Sequence, residues 1–166
     1  MGHNFQTFGG RTLKFLDSDV VVLVRLMVRV AETSSDCTNL EAALSAWAQG
    51  AEHSCPGVIP LELDCFLTEP QARAEFFVVL ERVRNLLADF GGEIPMETIN
   101  AMKPELPGFY FIISPPTSRF LAASLQLEGL VRGTAGEEVS AETERLIQQF
   151  RATLQASRSR DSGRRG

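Results

Sequence analysis

The 166-residue sequence holds only two histidines, His3 and His53, and three cysteines, Cys37, Cys55 and Cys65. So little imidazole and thiol leaves scant material for acid–base or nucleophilic chemistry. An odd cysteine count without framework spacing argues against a disulfide scaffold and for reduced thiols, which predicts a cytoplasmic location. No G-x-x-x-x-G-K-[ST] phosphate loop occurs, and no G-x-G-x-x-G follows a strand pattern. G-x-S-x-G and H-E-x-x-H are absent as well, so the common serine-hydrolase and zinc-protease signatures are excluded. Long apolar runs are also missing. The longest, Val20 to Val30, is interrupted by Arg25 and Arg29, whereas a bilayer span needs about 20 mostly apolar residues. With Asp17 and Asp19 ahead of it and no small-x-small site behind it, the run does not read as a signal peptide either. No membrane partner is expected.

Lysine is scarce, with Lys14 and Lys103 against fourteen arginines. Arginine signals anion recognition only where it clusters, and it clusters only near the C-terminus, in Arg158, Arg160, Arg164 and Arg165. Four arginines without interleaved aromatics predict at most weak nucleic-acid contact through that tail.

What is present describes a globular chain. Hydrophobic residues make up 44% and charged residues 22%, close to the average for folded domains, and the length suits one domain. The expected organisation is a globular domain over 1–155 and a disordered basic tail over 156–166, where no apolar residue follows Ala156. The formal net charge of −5 divides along that boundary. Residues 1–155 carry twelve basic and twenty acidic side chains, or −8, and the tail carries +3.

Local patterns predict a helix-rich α+β fold, with one layer of two or three short strands and about five helices. Residues 1–12 read as a polar lead-in with a turn at Gly9-Gly10. A helix over about 19–32 follows from the shared face of Arg25, Arg29 and Glu32, against the strand preference of six valines. Thr38 and Glu41 form a capping-box pattern ahead of a helix to about Gly50, with Leu40, Leu44 and Trp47 on one face. Leu61 to Leu67 alternates and predicts a half-buried strand, with Leu61, Leu63, Cys65 and Leu67 inward and Glu62, Asp64 and Phe66 outward. Thr68, Pro70 and Gln71 open the clearest helix, whose stripe is Phe76, Leu80, Val83, Leu87 and Phe90 and whose stop is Gly91-Gly92. A short helix is expected at 96–102, a buried strand at 109–113, a helix from Thr117 or Ser118 to Gly133, and a last helix from Ser140.

Three groupings could carry chemistry. His53, Cys55 and Cys65 lack the paired ligand spacing of a zinc site, so Cys65 reads as a small buried hydrophobe and no metal is assigned. Glu62 and Asp64, about 7 Å apart on one strand face, read as a solvated edge and not as a catalytic carboxylate pair. No catalytic or cofactor-binding residue is assigned and no cofactor is implied. The better reading joins Glu62, Asp64 and Glu69, with Phe66 beside them, into an acidic patch that meets another protein with a basic surface. The function expected on this basis is a small acidic protein-binding module, of inhibitor or immunity type, that occludes a basic partner surface. A small acidic chaperone for a secreted effector and an enzyme with an unrecognised Cys/His or carboxylate site are the alternatives.

Overall fold

A computed structural model describes residues 2–34, 36–53, 59–102 and 112–134. The chain begins with a hairpin of β1 (His3–Phe8) and β2 (Arg11–Leu16). The helices follow as α1 (Asp17–Glu32), α2 (Glu41–His53), α3 (Leu63–Phe66), α4 (Pro70–Phe90), α5 (Met96–Ala101) and α6 (Thr117–Arg132). The architecture is α+β and helix-rich, with one antiparallel two-stranded sheet among the described residues.

α1 is the hub and packs against α2, α4, α6 and both strands. Val20 to Met27 is buried without interruption, Arg25 included. A helix that is apolar on all sides belongs inside a core, and this is why six valines are tolerated. Neighbours on every side pack the branched side chains, and that packing outweighs their modest helix penalty. Arg25 reaches out of the core to the Ile99 carbonyl at 3.4 Å. α4 contributes Phe76, Val79, Leu80, Val83 and Leu87 to this core, and α6 contributes Phe120, Leu127 and Leu130. The two are tied at their surface by Arg84 and Glu128, 2.6 Å apart.

The capping of α2 differs from the local pattern. The carboxylate of Glu75, on α4, accepts the Asn39 and Leu40 amides at 2.9 and 3.0 Å and the Asn39 side chain at 2.5 Å. A tertiary carboxylate takes the role expected of Thr38. Likewise α4 starts at Pro70 after Glu69 without a side-chain cap, so the Thr68–Gln71 box does not form.

The hairpin was not legible as strands because its inward face is polar. Asn4 and Gln6 are buried while Phe5 points outward, 62% exposed. The Gly9-Gly10 turn does form, with φ of 57° and 76°. Two successive left-handed residues are what a tight two-residue hairpin loop requires.

The strand expected over Leu61 to Leu67 is replaced by an irregular entry and the single turn α3. Residues 59–61 belong to no strand, and side chains hold them in place of a neighbouring strand. Asn4 Nδ2 and Gln6 Nε2 donate to the Ile59 carbonyl at 3.0 and 2.8 Å, and Gln6 Oε1 accepts the Leu61 amide at 3.0 Å. Trp47 Nε1 donates to the Leu61 carbonyl at 2.5 Å. Residues 109–111 of the expected strand, the expected last helix and the basic tail lie outside the described residues. Ile112 and Ile113 are exposed in a bend.

Candidate functional site

A trench runs between α1 and α2, closed in part by Ala101 and Met102 at the end of α5. It consists of two adjoining hollows of about 420 and 280 Å³ that share Val28, Glu32 and Ala48. The floor comes from side chains left over when each helix buries its larger apolar residues. Val28 and Ala31 lie on the flank of α1, and Leu44 and Ala48 on the flank of α2. Alanines on α2 keep this flank low while Leu40, Ala43 and Trp47 fill the core. The polar lining has Glu41, Thr38 and Ser45 in one hollow, Glu52, Arg29 and Arg25 in the other, and Glu32 where the two join.

Cys37 forms part of the trench wall and is itself buried. Burial pushes its thiol up from the ordinary range, Arg82 works in the opposite direction, and Glu75 and Asp36 add to the rise. A protonated thiol is a poor nucleophile.

The residues singled out in the sequence are distributed differently. Glu62, Asp64 and Glu69 are exposed, but on a turn and a single helical turn and not along one strand face. Glu62 precedes α3 in a left-handed conformation, φ 45°, which is uncommon for a residue with a side chain. Asp64 Oδ1 accepts the Gly9 amide at 2.8 Å and so ties α3 to the hairpin turn. Phe66 is half-buried and packs edge-on against Trp47, with centroids 6.1 Å apart at 85°. Cys65, expected inward, is exposed, because a helical turn directs Leu63 and Leu67 to the core in its place. None of these residues lines the trench. The His53 side chain and Cys55 lie outside the described residues. Among the described residues, no group of three or more His, Cys, Asp or Glu side chains is placed to hold a metal ion, and no helix is long and apolar enough to cross a membrane.

A second polar cluster lies where the hairpin enters α1. Asp17 and Asp19 are both buried, and among the described residues the Asp17 carboxylate has no hydrogen-bond partner. Asp19 Oδ1 pairs with Arg119 Nε of α6 at 2.5 Å, and Arg119 Nη2 donates to Ser18 Oγ at 2.5 Å. Burial raises the Asp19 carboxyl above its ordinary 3.8, while Arg119 and Ser18 oppose the rise. The stability contributed by Asp19 is complete below about pH 3.8 and is lost as the pH rises through the higher native value. The permanently uncharged Asp19→Asn variant lacks this loss, so it gains on the wild type between about pH 4 and about pH 7 in urea unfolding. A drift of the opposite sign would mean that Arg119, and not burial, governs Asp19.

The trench was missed in the sequence because its residues are the bland ones. Ala31, Leu44 and Ala48 read as ordinary helix positions, and Glu32 and Glu41 as solvated carboxylates. Only the pairing of α1 with α2 makes a trench of them. Comparison with protein-family models, with curated proteins and with solved structures gives no match to this chain.

Proposed function

We propose that the chain is a protein-binding module, of inhibitor or immunity type, whose acidic surface occludes a basic segment of another protein. The observation that carries this reading is the trench, an apolar floor with the carboxylates of Glu41 in one hollow, Glu52 in the other and Glu32 where they join. Of the two cations that line it among the described residues, Arg25 is buried and donates to the Ile99 carbonyl, and Arg29 is exposed. An occupant with an apolar stripe and flanking lysine or arginine suits that lining, in the manner of an amphipathic helix in a groove. The exposed carboxylates of Glu62, Asp64 and Glu69, outside the trench, add further negative charge to the surface. Phe66, through Trp47, supports that surface from beneath.

The test is affinity isolation of the full chain from its source cell, beside the double variant Glu32→Lys/Glu41→Lys. A stoichiometric basic partner is expected with the wild type. Its association should slow as salt is raised, and its affinity for the double variant should fall by about 100-fold or more, since like charges now face each other across the contact. Both positions are exposed, so the variant should retain its fold. Retention of the partner at full affinity would remove the trench from the account.

A further inference from the structure

The hairpin carries a second surface, independent of the trench. A two-residue loop closes Phe8 opposite Arg11, and the register continues through Gln6–Leu13 and Asn4–Phe15. Those pairs exchange the ladder hydrogen bonds, so the backbone groups of the intervening residues point away from the partner strand. On β1 the intervening residues are His3, Phe5 and Thr7. Among the described residues, no backbone hydrogen bond reaches the outward groups of Phe5 or Thr7. All three residues are exposed.

The two edges of this sheet are not alike. β2 carries Arg11 and Lys14, the charges by which edge strands resist pairing, and Arg11 is engaged with the Gly133 carbonyl at the end of α6. β1, His-Asn-Phe-Gln-Thr-Phe, has no Lys, Arg, Asp or Glu. Its outward groups are symmetric in spacing about Phe5. A strand that brings no charge and has the same spacing matches this edge on both counts, and β1 of a second copy is such a strand. We propose that β1 pairs antiparallel with β1 of a second copy, giving a four-stranded sheet in the order β2-β1-β1-β2 with a two-fold axis at Phe5. Phe5 then faces Phe5 of the second copy, and His3 faces Thr7 of the second copy. The cations of β2 lie on the outer strands, away from the seam. The aromatic pair adds to the backbone bonds.

Each copy has net charge −5, so screening by salt should strengthen this association, opposite to its effect on a basic partner. Light scattering and amide exchange on the full chain, from about 1 to about 500 µM, test the proposal. The wild type should become dimeric over that range, with exchange at Phe5 and Thr7 slowed as concentration rises and exchange at Gln6 unchanged. Phe5→Lys and Phe5→Glu, at an exposed position, should each weaken the dimer about tenfold or more. An equimolar mixture of the two should restore it, because the altered residues face each other across the axis. A wild type that stays monomeric with concentration-independent exchange would overturn the proposal. So would a dimer that both variants retain, or a mixture that stays monomeric.

Discussion

Replacing Gln6 with alanine is expected to destabilise the protein by about 3–5 kcal/mol, measured by urea unfolding. The side chain is 2% exposed and makes three hydrogen bonds at once. Its amide nitrogen donates to Asn4 Oδ1 at 2.7 Å and to the Ile59 carbonyl, and its oxygen accepts the Leu61 amide. The alanine variant orphans the Leu61 amide, which costs about 1–3 kcal/mol when buried, and leaves a void in place of the amide. The Ile59 carbonyl keeps Asn4 as a donor. In Asn4→Ala, by contrast, Gln6 still holds both the Ile59 carbonyl and the Leu61 amide, so that change should cost about 1 kcal/mol, markedly less than the Gln6 change. Domains of this size are stable by about 5–15 kcal/mol, so the Gln6 variant should unfold at a much lower urea concentration. A loss for Gln6→Ala below about 1 kcal/mol would mean that residues 59–61 are held by something other than these amides.

The second large effect is at Trp47. Trp47→Ala should cost about 3–5 kcal/mol, since the side chain is fully buried and its removal leaves a large cavity. Its ring meets Phe66 and Phe76 edge-on, with centroids 6.1 and 5.9 Å away. Trp47→Phe keeps most of that packing and loses the bond to the Leu61 carbonyl, so it should cost only about 1–2 kcal/mol. The ordering of the two variants is the informative result. Equal losses would show that the indole hydrogen bond, and not the packing, dominates. Circular dichroism is the suitable probe, because Trp47 is the only tryptophan.

These two residues also show what was and was not legible in the sequence. Helices with a one-sided pattern were readable: α4, and α2 with Trp47 on its inner face, follow from apolar spacing, α6 follows from its Thr117 or Ser118 start and Gly133 stop, and the Gly91 and Gly133 stops match. α1 was readable only through Arg25, Arg29 and Glu32, since its valines face neighbours on every side. The alternation from Leu61 to Leu67 misled because extended backbone was expected to pair with a strand. The partners are instead the amides of Asn4 and Gln6, more than fifty residues away in sequence. The same inward amides hid the hairpin, whose polar face is buried and whose Phe5 is exposed. Periodicity reports burial, and here buried polarity inverted the pattern. The acidic residues of 62–69 were legible as exposed carboxylates. Their local duties, with Asp64 on the Gly9 amide and Phe66 against Trp47, depend on tertiary neighbours. The trench depended on which two helices pair, something no local pattern in α1 or α2 encodes.

On the proposed function, a basic segment of another protein lies in the trench between α1 and α2. Photo-crosslinking in the source cell tests it most directly, with a benzophenone side chain placed at Ser45, on the trench rim, or at Gln126, exposed on α6. The predicted result is one dominant adduct from Ser45, to a basic stretch of a single partner, absent from Gln126 and lost when Glu32→Lys/Glu41→Lys is combined with the probe. Equal labelling from Ser45 and Gln126, or an adduct that survives the charge reversal, would contradict it.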